Sequence, residues 1–212
     1  KKGLRNYKVK PSGVKVYVDK GLHDIRPYTA CAIVKNLKLD DEKIREIIQI
    51  QEKLHTTFCR NRKKAAIGIY PLEHIKPPIY FKAMEASKVK FIPLESTREM
   101  SAYQMLENHP KGKEFAHLLK GLRKFPVFID SKNNIMSLTP IINSELTGKV
   151  TPKTKEIFIE VSGHDLDYQN SCLNMIVSAL ADMGAQVYSI DVFYGSKKVI
   201  TPDLSPRKMK LD

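Results

Sequence analysis

Cysteine is scarce: the 212 residues contain three, Cys31, Cys59 and Cys172, far apart and without a C-x-x-C pair. Neither a disulfide framework nor a zinc cluster is supported by that count. No apolar run approaches the roughly 18 residues of a membrane span, and the basic start, apolar centre and small-residue cleavage site of a signal peptide are missing. Also missing are G-x-x-x-x-G-K-[ST], a glycine-rich dinucleotide fingerprint, a G-x-S-x-G elbow and H-E-x-x-H. Nucleotide, metal and Ser-His-Asp chemistries thereby lose support. No metal or cofactor and no membrane is expected, and the cytoplasm is the expected compartment.

Acidic residues are in short supply too. Lys and Arg number 36 against 23 Asp and Glu, a formal charge of +13 with a pI near 9.5. A surface this positive attracts polyanions, so nucleic acid is the leading partner class. Solubility is the competing explanation. The length suits one domain with a sizeable core. Residues 1–13 are basic and carry Pro11 and Gly13, which predicts a connector, and residues 208–212 form a basic tail. The start at Lys1-Lys2, without Met, predicts a piece of a longer protein.

Val14, Val16 and Val18 alternate with polar residues as in a half-buried strand, and Tyr28 to Val34 is apolar enough for an interior one. Asp40 and Asp41 precede Ile44, Ile47, Ile48, Leu54 and Phe58, which predicts a helix over 41–58. Arg60-Asn61-Arg62-Lys63-Lys64 follows, then a strand over 65–70. Those cations suit either a solvated helix end or phosphate contact. Further strands are expected at 89–94, 187–194 and 198–201, short helices at 102–107 and 113–120 with Pro110 between them, and a helix from Asp167 to Gly184. The balance argues for mixed α and β layers rather than a parallel, doubly wound sheet.

The stretch from Phe125 to Asp165 is the least ordinary. Phe125–Ile129 and Ile135–Ile142 read as a hairpin around an Asp- and Asn-rich loop. A third strand over 157–162 puts Glu160 and Ser162 on one face with Phe158, and Ser137 and Thr139 share a face of theirs. Adjacent strands could therefore gather Ser137, Thr139, Asn143, Glu160 and Ser162 into one pocket. Taken singly, each also fits an edge or solvent-facing position.

At these residues the sequence resembles the editing module of the phenylalanyl-tRNA synthetase beta subunit, archaeal and eukaryotic type. The resemblance rests on RPY at 26–28, HTTFCRNRKKAAIGIYPLEHI at 55–75, FKAM at 81–84, HPKGKEFAHLL at 109–119, FPVFID, MSLTPIINSE, FIEVSGHD and the ending TPDLSPRKMKL. It covers about residues 14–207 and implies an α+β fold, mixed layers of mostly antiparallel sheets with flanking helices. It also implies that 208–212 lead into the subunit's next domain, and that the partners are the acceptor end of tRNA(Phe), the rest of the beta subunit and the alpha subunit.

The implied activity is hydrolysis of tyrosine wrongly esterified to that tRNA, a second sieve where one hydroxyl distinguishes Tyr from Phe. Carried over by position, Phe128, Ser137, Glu160 and Ser162 fall where the family holds the tyrosine ring and hydroxyl, with Thr139 beside them, and Asn143 at a further polar position. Phe128, Glu160 and Ser162 stand where archaeal members carry a smaller aliphatic residue, aspartate and threonine, so the pocket's depth differs; bacterial-type enzymes also use glutamate there. Glu160 is expected to accept the substrate hydroxyl, and Asn143 and Ser137 to orient an attacking water. Arg60, Arg62, Lys63 and Lys64 are the candidates for phosphates of the tRNA 3′ end. A non-catalytic tRNA-binding or assembly module and a small-molecule-binding domain are the rival readings.

Overall fold

The structure is a computed structural model that describes residues 5–206; the expected tail at 208–212 lies outside them. In chain order the elements are β1 (Val9–Val18), β2 (Tyr28–Lys35), α1 (Asp41–Thr56), β3 (Ala65–Pro71), β4 (Ile79–Glu85), β5 (Lys90–Phe91) and β6 (Met100–Ser101). They continue with α2 (Ala102–Asn108), α3 (Pro110–Phe115), β7 (Lys124–Ile129), β8 (Ile135–Leu138), β9 (Ile142–Asn143) and α4 (Glu145–Gly148). The last are β10 (Ile157–Gly163), α5 (Leu166–Asp182), β11 (Gln186–Tyr194) and β12 (Lys197–Thr201).

A mixed sheet runs in the order β3-β10-β2-β11-β1-β4-β7-β8-β9, with β12 on β11, and β5 pairs with β6 apart from it. Only β1 pairs in parallel, with β11 and β4; the other ladders are antiparallel. The α+β expectation therefore holds.

Local chemistry sets the element ends. Asp40 caps α1 by accepting from Lys43 N at 2.8 Å, and Asp41 and Glu42 fill its first turn. Ser101 and Gln104 close a capping box on α2. Asp165 caps α5, which begins one residue before the expected Asp167. Pro110 opens α3 three residues before the expected helix start, because a first helical position has no use for the missing N–H. The strand expected at 89–94 is paired only at Lys90–Phe91, its remainder being drawn off by a bridge from Pro93 to Ser144. Conversely β1 starts at Val9, inside the expected connector, and absorbs Pro11 and Gly13 at a bulge between Pro11 and Lys15.

Strand β10 organises the core. Ile157, Ile159 and Val161 pack beneath α5, whose Leu173, Ile176, Val177 and Leu180 form the buried stripe. Each such side chain contributes roughly 1.5–3 kcal/mol on burial. The opposite face carries Phe158, packed with Tyr70, Phe81 and Phe128, and then Glu160 and Ser162, both buried. A third cluster, including Met105, Phe115, Phe125 and Leu138, seats α2 and α3 on β7 and β8.

The sheet curls far enough for its two ends to meet. Asn143 of β9 donates from Nδ2 to Ile69 O of β3 at 3.1 Å, although the two strands stand at opposite ends of the strand order. Just ahead of β3, Arg62 donates from Nη1 to Pro140 O at 3.2 Å and to Ile141 O at 2.8 Å, just ahead of β9. Arg62 and Asn143 staple the sheet ends together. Among the described residues no helix is long and apolar enough to cross a membrane.

Candidate functional site

The seam where the sheet ends meet opens into a cleft of about 470 Å³. Helix α1 supplies one wall with Ile47 and Gln51, β3 another with Ile67 and Ile69, and the chain from Ser137 to Asn143 a third. Glu160 lies on β10, which pairs directly with β3.

Glu160 is 3% exposed, and Tyr70 donates its hydroxyl to Oε1 at 3.4 Å. The other oxygen, Oε2, is buried with no hydrogen-bond partner. Burial pushes the carboxyl up to about 8, against the pull of the Arg26 charge and the Tyr70 hydroxyl. Burial likewise raises Tyr70 well above the ordinary phenol value, so it stays an O–H donor. The neighbour opposite Glu160 on β3 is Gly68. A Cβ there would lie 2.4 Å from Glu160 Oε1 and 2.6 Å from the Tyr70 hydroxyl. Glycine makes the space into which both groups reach.

The sign of the linkage is testable. A carboxyl raised from 4.5 to about 8 binds a proton in the folded state that the unfolded chain has released, so stability from this group is full at low pH and declines as pH rises from about 4.5 to 8. Urea denaturation across that window is expected to show wild type losing a few kcal/mol relative to Glu160→Gln, the variant's curve being the flatter. Parallel curves would contradict the burial argument.

Of the residues marked in the sequence, Ser137, Thr139, Asn143 and Glu160 are brought to the cleft. The Ser137 and Thr139 hydroxyls are 3.1 Å apart. Asn143, having donated its amide N–H to Ile69 O, keeps its carbonyl oxygen as an acceptor. Phe128 and Ser162 stand elsewhere. Phe128 stacks on Phe81 with ring centroids 4.3 Å apart, the pair facing each other across β4 and β7, and forms core behind the cleft. Ser162 accepts from Arg26 Nε at 3.0 Å, and its carbonyl accepts from Nη2 at 2.7 Å, so the guanidinium covers it.

The four cations part company. Arg60, Lys63 and Lys64 are exposed. Arg62 is 8% exposed, its guanidinium bonded to the two carbonyls of the staple and to Glu52 at 3.2 Å and lying 4.3 Å from the Phe115 ring centroid. Those partners leave it a structural tie rather than a free phosphate ligand. Arg60, Asn61 and Arg62 all have positive φ, 49°, 53° and 64°, an unfavourable left-handed run that turns Arg62 inward while its neighbours face solvent.

Glu52 and His55 escaped the sequence reading. His55 Nε2 accepts from Ile67 N at 2.9 Å, which leaves Nδ1 to donate to Glu52 Oε1 at 3.3 Å. With both ring nitrogens committed, His55 fixes α1 to β3 and is no free base. Its hydrogen bond, then the charges of Arg62 and Lys111, hold Glu52 down at about 2 against its burial. An i, i+3 Glu and His on a predicted helix was the available signal. Among the described residues no cluster of three or more His, Cys, Asp or Glu could hold a metal.

No protein-family model matches the chain. The phenylalanine–tRNA ligase beta subunit of Thermococcus sibiricus is 47% identical over 211 residues, taking in 100% of this chain and 38% of that protein. The Pyrococcus horikoshii beta subunit is also 47% identical over 211 residues, with the same coverage of 100% and 38%. A crystal structure of an N-terminal fragment of the P. horikoshii phenylalanyl-tRNA synthetase beta subunit superposes with a TM-score of 0.94 at 48% identity, over 98% of this chain and 59% of that one. The chain belongs to the phenylalanyl-tRNA synthetase beta-subunit family. It spans 38% of the length of these curated relatives. The cleft at the seam brings buried His55, Arg62, Ser137, Thr139 and Glu160 together.

Proposed function

We propose that this chain is the editing module of a phenylalanyl-tRNA synthetase and hydrolyses tyrosine wrongly esterified to tRNA(Phe). The observation that carries the reading is Glu160 Oε2, a buried, unpartnered carboxyl oxygen on a residue that lines a cleft walled in part by Ile47, Ile67, Ile69 and Ile141. A tyrosine hydroxyl entering the cleft supplies the missing partner, whereas phenylalanine leaves it unsatisfied. Ionised, Oε2 accepts from the tyrosine hydroxyl; protonated on Oε2, the carboxyl donates to the phenol oxygen, and phenylalanine satisfies neither.

Neither Glu160 nor His55 serves as the general base: Glu160 serves recognition, and both ring nitrogens of His55 are occupied. Positioning therefore carries the chemistry. Asn143 and Ser137 hold a water against the ester carbonyl; its oxygen bonds to the carbonyl carbon, the bond to the ribose oxygen breaks, and that oxygen takes the proton. Arg60, Lys63 and Lys64 contact phosphates of the tRNA, and the alpha subunit and the rest of the beta subunit complete the synthetase. Binding weakens as salt rises.

Tyrosyl- and phenylalanyl-tRNA(Phe), followed for ester loss with this chain and again in the assembled synthetase, test the proposal. The tyrosyl ester is expected to be cleaved selectively, and Asn143→Ala to lower the rate by about 10- to 100-fold without weakening tRNA binding. Binding of tRNA with no acceleration of either ester in both settings would leave a non-catalytic module.

A further inference from the structure

A second hollow, of about 340 Å³, shares Pro140 with the ester cleft and is lined by Arg26, Lys63, His117, Lys120 and His164. Every ionisable side chain on its wall is basic; no carboxylate lines it. Lys63, His117, Lys120 and His164 are exposed, and among the described residues none of the four enters an ion pair. Burial, then the charges of Arg26 and of nearby Lys64, depress His164.

The permanent cations Arg26, Lys63 and Lys120 come here from three separate segments: the approach to β2, the left-handed turn before β3 and the chain after α3. Such a concentration is unfavourable without a counter-charge. Arg26 fixes the floor. It donates to Ser162 Oγ, Ser162 O and, at 3.5 Å, Arg62 O, and although burial lowers it to about 10 it remains a cation at neutral pH. Burial raises the carboxyl of its acidic neighbour Glu160, which favours the uncharged form of that group.

We propose that this hollow is an anion site that receives the last phosphodiester of the RNA whose terminal ester occupies the cleft. The inference rests on the editing reading and names where its polyanion is held. Lys63 and Lys120 supply charge at the rim and Arg26 a fixed positive floor, while the wall shared at Pro140 lets one RNA end touch both hollows.

The test uses a short RNA ending in CCA, prepared with an ordinary last phosphodiester or with a neutral methylphosphonate in its place. Binding to the full chain is measured for wild type and for a Lys63→Glu/Lys120→Glu double variant, both positions being exposed, with the melting temperature as the check on folding. Wild type is expected to bind the ordinary RNA about tenfold more tightly, and the double variant to bind the two RNAs alike. Equal binding of the two RNAs by wild type, or an undiminished difference in the variant, overturns the site. Displacement of the RNA by an equimolar amount of inorganic phosphate would point to free phosphate and overturn the RNA assignment. Selective ester cleavage with no methylphosphonate effect removes only this inference; a methylphosphonate effect with no ester cleavage removes only the editing reading.

Discussion

Glu160→Ala is expected to abolish the preference for tyrosyl over phenylalanyl ester, by lowering tyrosyl-tRNA cleavage about 100- to 1000-fold while leaving the phenylalanyl rate nearly where it was. Sites built around a buried partner for a hydroxyl reject the analogue that lacks it by about 10⁴- to 10⁵-fold, and removing the partner forfeits a large part of that discrimination. In this cleft the partner is a single oxygen, Oε2, since Oε1 is already taken by Tyr70. The truncation also removes a buried group whose pKa is raised to about 8, so the variant folds without the proton linkage of wild type, and a melting curve separates lost discrimination from lost structure. Glu160→Gln, which keeps an acceptor in nearly the same place, is expected to retain part of the preference. Unaltered tyrosyl selectivity in the folded Glu160→Ala chain would remove Glu160 from recognition.

Gly68→Ala is expected to be nearly as damaging through one methyl group. The new Cβ would meet Glu160 Oε1 at 2.4 Å and the Tyr70 ring at 2.8 Å, closer than a non-bonded methyl carbon can sit. Neither neighbour retreats easily: Tyr70 is fully buried, and Glu160 is held between β3 and β2. Overpacking of this kind costs roughly 1–3 kcal/mol. Displacing the carboxylate costs recognition besides, so tyrosyl cleavage should fall about 100-fold or more. A combined Gly68→Ala/Glu160→Asp chain, with one methylene withdrawn, is expected to regain stability, and the coupling between the two changes is the measurement. Additive effects would mean that the methyl never reached the carboxylate.

Much of this was open to reading from local pattern. The 130–134 loop was expected to bond its own main chain, and Asp130 accepts from Lys132 N and Asn134 N, both at 2.9 Å, with Asn133 at φ 62°. Alternation along 157–162 put Glu160 opposite the aliphatic face packed under α5. These are short-range properties, set by side-chain period and turn chemistry. Arg62 was not legible in the same way. Amid Arg60, Lys63 and Lys64 it has the same local composition as its neighbours, and only a left-handed turn aims it inward at carbonyls 78 and 79 residues away in sequence. Phe128 is similar: being on the hairpin placed it near the site, but its packing on Phe81 depends on β4 lying beside β7.

The sequence by itself determined the alternation that turns Glu160 inward, the caps that start α1 and α2, the excess of cations and, through its motifs, the family. Tertiary structure alone decided that β3 and β9 meet, so that Ser137, Thr139, Asn143 and Glu160 share one cleft while Phe128 and Ser162 fall behind it. The reason is physical: residue period and capping are fixed within a few positions of the chain, whereas curling a sheet until its ends are stapled by Arg62 and Asn143 sums the twist and packing of every strand between them.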